Sequence, residues 1–252
     1  MYREEKETGR CGNINTAKTL NHCFSKNKNN QSGTTMKILN PGPEDYHIHS
    51  ITFSDGWNSV DEIVKYAGEI GMTKIAICDH SAALLKADGL LKKTYRSPCK
   101  RWQNVYNNVE VIFGVEADLL NESGDVCMEI DGIEGDFIIL SYHEEVFKSG
   151  SKKIANGFIN AMKRYRDKID CIGHVCIGLE EPDALKVIQT ANENNIPLEL
   201  NAKYFKKKPE AWKVLLDNAD RLYVNSDAHL LSDLRDARNE AFKLLKQMKY
   251  IK

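Results

Sequence analysis

Six of the seven histidines stand at the ends of short β-type runs: His47 and His49, His80, His143, His174 and His229, with only His22 elsewhere. Carboxylates occupy the same places: Asp55 just after the first run, Glu116 ending the third and Asp227 ending the seventh. Imidazole nitrogen and carboxylate oxygen are the donors that zinc, manganese or iron takes, at about 2.0–2.2 Å for zinc. His47 and His49 are two apart in an extended segment, so both side chains leave the strand on one side and can grip one ion together. Asp45 sits beside them, and the Ser54-Asp55-Gly56 turn brings Asp55 round to the same rim. A lone histidine at a strand end is ordinarily a hydrogen-bonded residue, and one His-x-His is a weak signal. Nine such donors at successive strand ends point to a cluster of divalent ions.

The elements that must position them are legible as hydrophobic runs. They are DYHIHS (45–50), TKIAICDH (73–80), VEVIFGVEAD (109–118), DFIILSYH (136–143), DCIGHV (170–175), IPLELN (196–201) and RLYVNSDAH (221–229). Between most of them lie amphipathic helices. Val60, Ile63, Val64, Ala67 and Ile70 recur at helical spacing, Asn58 or Ser59 can cap that helix, and Gly71 ends it. Further helices are expected over Ser151–Arg166, Asp183–Asn194, Glu210–Asn218 and Leu231–Met248, and a β-hairpin or a strand with turns over 121–136. Strands alternating with helices belong to a parallel β/α barrel or a doubly wound open sheet. The second would carry a glycine-rich phosphate loop after its first strand, and no G-x-G-x-x-G occurs, which favours the barrel. In a β/α barrel the C-terminal strand ends converge on one face, so residues scattered along the chain would meet in one pocket.

The composition sets the frame for this reading. The 252 residues are 42% hydrophobic and 28% charged, as in ordinary globular proteins, and the formal net charge of −1 excludes a general nucleic-acid coat. Seven cysteines without a C-x-x-C pair or an export signal speak against a disulfide framework, and Cys78 and Cys171 read as small core residues. No apolar run suits a membrane span or a secretory leader, which points to the cytoplasm. Residues 1–35 are rich in Asn, Lys, Thr and Ser and read as a disordered N-terminal extension, leaving 36–252 as the domain; Met36 offers an alternative start. Nothing in the sequence demands a protein partner.

In this order along the chain, DYHIHSITFSDG, ICDH, GVEAD, SYHE, IGHV and NSDAH resemble the successive motifs of the PHP (polymerase and histidinol phosphatase) family, from Asp45 to His229. The resemblance implies a distorted seven-stranded parallel β/α barrel of the TIM-like kind and two to three divalent ions (Zn, Mn or Fe). It implies that His47, His49, Glu116 and Asp227 hold the first. Glu116 would bridge to a second bound by His143 and His174, and Asp55, His80 and His229 would hold the third. Asp55 stands where some members use histidine. Glu116, His143 and Asp227 are the expected catalytic residues. A hydroxide bridging two ions, formed because the metals lower the pKa of water toward roughly 7, would attack phosphorus in line. Asp79 is expected to orient His80 or a neighbouring ligand.

Basic segments follow the second and sixth strands: Lys86, Lys92, Lys93, Arg96, Lys100 and Arg101, then Lys203, Lys206, Lys207 and Lys208. Solvated faces are the ordinary reading of such runs. On the pocket rim, however, Arg96, Lys100, Arg101 and Lys203 would hold a phosphate, Asn201 would contact the substrate, and Trp102 and Tyr204 would stack on a ring. The sequence thus favours a phosphatase for a small phosphorylated substrate, a nucleotide among the candidates. The alternatives are a phosphodiesterase or exonuclease acting on nucleotides or nucleic-acid ends, an amidohydrolase, and a metal-stabilised module without catalysis. An amidohydrolase would carry a bridging lysine where the fourth strand here ends in Ser141-Tyr142-His143.

Overall fold

All seven expected runs are strands of one sheet in the computed structural model, which describes residues 36–89, 101–130 and 132–252. The strands are β1 (Lys37–Ile38), β2 (Glu44–Ile48), β3 (Lys74–His80), β4 (Glu110–Leu119), β5 (Val126–Cys127), β6 (Glu129–Ile130), β7 (Ile133–Glu134), β8 (Ile138–Ser141), β9 (Cys171–Ile172), β10 (Leu198–Asn201) and β11 (Arg221–Asn225). Their order is β1-β11-β10-β9-β8-β4-β3-β2, parallel throughout, with β5 antiparallel on β4. The two ends of this order approach each other. Ile48 bridges to Ala228, and His49 N donates to Ala228 O at 2.9 Å. Asn40 bonds both Val224 O and Asn225 Oδ1, a carboxamide doing the work of a ladder. The sheet therefore curls into the expected barrel. The segment 121–136 supplies β5 and the β6–β7 hairpin, as its turn residues suggested. The expectation for residues 1–35 lies outside the described residues.

The helices are α1 (Val60–Glu69), α2 (Ala82–Ala87), α3 (Ile154–Tyr165), α4 (Glu181–Glu193), α5 (Ala202–Phe205), α6 (Lys213–Asn218) and α7 (Leu231–Gln247). Ser59 caps α1 in a full capping box with Glu62, and Gly71 leaves it at φ +78°. Its buried Val60, Ile63, Val64 and Ala67 pack on Ile75 and Ile77 of β3. Burial of each large aliphatic chain there contributes about 1.5–3 kcal/mol. Two helices start later than their patterns suggest. Ser151–Lys153 and Pro209–Trp212 are 3-10 turns ahead of α3 and α6, and neither helix has a side-chain cap to begin it earlier. Among the described residues, no helix is long and apolar enough to cross a membrane.

The barrel interior is graded along its axis. Tyr46, Phe137 and Tyr223 meet at ring-centroid distances of 5.1–5.7 Å and pack with Ala76, Cys78, Ile139 and Cys171. This apolar plug fills the end where the strands begin. Beyond it, towards the strand C-termini, the inward positions turn polar. On β3, Ala76 and Cys78 precede His80 on one face, while Ile75 and Ile77 face α1. β2 does not follow this alternation: its register shifts between Asp45 and Ile48, so that Tyr46 joins the plug while His47 and His49 both point opposite the outward Ile48.

Candidate metal centre

Glu116, buried two residues before Asp118 on β4, is the meeting point of the site. Its Oε1 lies 2.9 Å from His174 Nε2 and 3.6 Å from His143 Nε2. Its Oε2 lies 3.0 Å from His80 Nδ1 and 3.5 Å from both His47 Nε2 and His49 Nε2. Around this carboxylate stand the other two acids. Asp55 Oδ1 is 3.2 Å from His80 Nε2 and 3.3 Å from His229 Nε2. Asp227 Oδ1 is 3.4 Å from His49 Nε2 and from His229 Nδ1. The structure thus brings together all nine donors that the sequence singled out. All but Asp55, whose side chain is 42% exposed at the rim, form a largely buried floor that opens through His143 and His229, 19% and 21% exposed in their side chains, into a cavity of about 380 Å³.

Two of the nine residues have left-handed backbones, His174 at φ 21° and Asp227 at φ 53°. Such conformations cost about 1–3 kcal/mol each outside glycine and persist only where the surroundings fix them. Here they turn the chain sharply after β9 and β11, so that side chains at the strand ends reach inward.

The electrostatics are those of mutually dependent groups. Burial alone would depress the His47 imidazolium, but the carboxylates of Glu199 and Glu116 override it and hold its pKa well above the ordinary value. His80 is likewise opposed by burial and raised well above its usual value by Asp55 and Glu116. His49 goes the other way: burial, then the neighbouring His80 and His229, push it down to about 3, leaving a neutral ring with a free lone pair. Burial works against ionised Glu116 and Asp227, yet the surrounding histidines hold both carboxyls well below the carboxylate range.

A divalent ion fits this set. His80 Nδ1 is buried without a hydrogen-bond partner, although Glu116 Oε2 is 3.0 Å away. The Nε2 atoms of His47 and His49 face each other at 3.2 Å. Donors that converge without good hydrogen-bond geometry suit a shared cation better than one another. Three sets of ligand atoms are each close enough to share an ion: His49 with Asp55, His80 and His229; His47 with His49 and Glu116; and His80 with Glu116 and His143.

The expected substrate contacts fare unevenly. Lys203 lines the cavity, its Nζ 3.6 Å from Asp227 Oδ2 and over the Tyr204 ring, which also lines it. Arg96 and Lys100 lie outside the described residues, and Arg101 is exposed and not among those lining the cavity. Asn201 does not face substrate: fully buried, its Nδ2 donates to Asp227 Oδ2 at 3.0 Å while its Oδ1 caps α5. Trp102 stands against α1 instead, bonded to Asp61 and edge-on to Phe113. Asp79 accepts from Ser50 N and Oγ, and so braces the turn after His49, while both nitrogens of His80 face Glu116 and Asp55.

Two acids were missed. Glu199 Oε1 lies 2.8 Å from His47 Nδ1, and Asp118 Oδ1 lies 2.6 Å from His143 Nδ1. A signal for both was present. Glu199 alternates with the outward Leu198 and Leu200, and Asp118 follows Glu116 by two, so strand periodicity points each one inward.

Comparison with known proteins agrees with this geometry. The model of the PHP domain family matches residues 45–248. A "Probable phosphatase" of Vibrio parahaemolyticus is 28% identical over 160 residues, 62% of this chain and 62% of that protein, so the match spans under two thirds of the relative's own length. Another, of Shewanella piezotolerans, is 26% identical over 202 residues, 76% of this chain and 80% of that one. Among solved structures, histidinol phosphate phosphatase from Lactococcus lactis subsp. lactis, complexed with zinc, L-histidinol and phosphate, superposes with a TM-score of 0.50. It shares 15% identity over 81% of this chain and 92% of that one, a likeness of fold.

Proposed function

This chain belongs to the PHP domain family, and we propose that it is a metal-dependent phosphatase acting on a small phosphomonoester. The observation that carries the reading is the single buried carboxylate of Glu116 with five imidazole nitrogens within 3.6 Å, at the floor of an open cavity. Two to three ions, Zn, Mn or Fe, suit these donors: one on His47, His49, Glu116 and Asp227, one on Glu116, His143 and His174, one on Asp55, His80 and His229. When bound, they supply Lewis acidity toward phosphoryl oxygens and lower the pKa of water at the site.

The chain's own groups do the rest. Lys203, kept cationic beside Asp227, offers its ammonium to a phosphoryl oxygen at the cavity wall. Leu84, Tyr142, Ile177 and Tyr204 form the wall that receives the leaving group. Besides Asp55, Glu116 and Asp227, the described lining residues include two more acids, Asp88 and Glu145, against one ammonium, Lys203, which supports a single phosphoryl group rather than a run of phosphates. The reading assigns the enzyme to residues 36–252, with 1–35 as an extension outside it.

The test is phosphate release by the metal-stripped chain reloaded with Mn, Fe and Zn in turn, on a panel of phosphomonoesters and dinucleotides. Metal-dependent hydrolysis of monoesters is expected. Preferential cleavage of dinucleotides would make the protein a diesterase, and no metal-dependent hydrolysis of either class would refute the reading.

A further inference from the structure

Glu199 has no exposed surface and bonds four groups, all of them N–H donors. Oε1 receives His47 Nδ1 at 2.8 Å and Asn225 Nδ2 at 3.0 Å. Oε2 receives the His174 backbone N at 3.1 Å and Asn201 Nδ2 at 3.5 Å. The two carboxamides cannot be turned round. Asn225 Oδ1 accepts from Tyr46 N at 3.2 Å, and Asn201 Oδ1 accepts from Tyr204 N at 3.3 Å. Both therefore present NH2 to Glu199. Four donors need acceptor lone pairs on both oxygens, which a carboxylate has and a carboxamide lacks.

These contacts have one consequence for each side of the centre. With Nδ1–H given to Glu199, His47 can lose a proton only from Nε2, which fixes the neutral ring as the tautomer whose Nε2 lone pair faces Glu116 and His49. With its backbone N–H given to the other oxygen, His174 is held at φ 21°, the conformation that puts its Nε2 on Glu116 Oε1. We propose that Glu199 is the positioning residue of the centre, setting the tautomer of His47 and the backbone of His174 with one side chain, and so coupling the ligands on both sides of Glu116. The proposal rests on the metal-site reading above.

Glu199→Gln tests it, because the Gln must leave either His47 or His174 facing an NH2 group. Zinc affinity, measured on the full chain by competition with a chromophoric chelator, is expected to fall about 10–100-fold, the usual effect of losing a group that orients a ligand histidine. The fall should shrink in a His47→Ala background, where only the action on the His174 backbone remains, whereas a merely structural loss would add in full and overturn the proposal. Imidazole 15N spectra of the zinc-loaded wild type give a readout that does not depend on the variant folding. Nδ1–H on His47 is expected, and Nε2–H overturns the proposal. Wild type that takes up no zinc would refute the metal-site reading itself. Wild type that binds zinc beside a Glu199→Gln chain of equal affinity overturns only the role of Glu199.

Discussion

Exchanging Glu116 for Gln keeps the side chain's length and volume and removes one charge, at the point where both halves of the site meet. The carboxylate serves His143 and His174 through Oε1 and His47, His49 and His80 through Oε2. A carboxamide can serve one set with its oxygen, but its NH2 group then faces the other set and cannot share an ion with it. At least one ion of the cluster should be lost. An ion present at 100 times its dissociation constant stabilises the fold by about 2.7 kcal/mol. In a chain of this size each kcal/mol moves Tm by about 2–4 °C, so the ion's share of the shift is about 5–11 °C. The assay is scanning calorimetry of wild type and variant, in chelator and in excess Mn or Zn, beside elemental analysis and turnover. A metal-induced rise is expected in wild type and should be smaller in Glu116→Gln by at least that one-ion share, with turnover down by more than about 100-fold, beyond what an orienting group costs. In chelator the wild type should also be the more stable at neutral pH. The Glu116 carboxyl is opposed by burial but held well below the usual range by His47 and His143. Its contribution is therefore present above the ordinary glutamate value and lost only as acid takes the pH through the depressed one. Equal metal stoichiometry and an equal thermal shift in the variant would show that the two sides of the site do not share this residue.

Three more outcomes follow from named contacts. Lys203→Met should raise KM for phosphomonoesters and spare metal content, since one charge-assisted hydrogen bond is worth about 1.5–3 kcal/mol, roughly ten- to a hundredfold in kcat/KM; behaviour like that of the exposed control Lys246→Ala would place the ammonium outside the substrate's reach. Metal loading should release protons near neutral pH and tighten as pH rises, because Glu199 and Glu116 hold the His47 imidazolium, and Asp55 and Glu116 the His80 imidazolium, above their ordinary values against the opposing effect of burial; identical binding heats in buffers of different ionisation enthalpy would contradict it. Gly56→Ala should destabilise by about 1–3 kcal/mol and weaken the Asp55 side of the centre, since the new Cβ would fall 2.2 Å from the His49 carbonyl oxygen; an unchanged Tm would mean that this turn can yield.

The strands and the convergence of the nine donors were legible for the same reason. A barrel strand buried on both faces leaves a run of apolar residues, and polar donors repeated at the ends of successive strands mark the pocket where those ends converge. What stayed hidden depends on direction rather than type. Asn201 sits where a substrate contact would sit, but the α5 cap takes its oxygen and turns its NH2 to Asp227, which only the path of the chain after β10 decides. Trp102 follows a basic segment near a strand end, yet the Asp61 carboxylate draws its indole to the capped end of α1. His47 faces inward beside an equally inward Tyr46 because β2 is bulged, and no alternating pattern predicts a bulge.

On the proposed phosphatase reading, the two hidden acids would change how the pocket selects its substrate. Three ligand carboxylates against three divalent ions would leave a strongly positive cavity that draws in any polyanion. Asp118 and Glu199 add two more buried acids, each against the outer nitrogen of a ligand histidine. Coulomb attraction between buried groups is long-ranged because little water screens it, so these acids would offset the field of bound ions at the cavity mouth without touching a substrate. Asp88 and Glu145 act in the same direction there. Discrimination would then fall to contacts at bonding distance, the Lys203 ammonium first among them. Such a site favours one phosphoryl group, presented end-on, over a long anionic strand held by its charge.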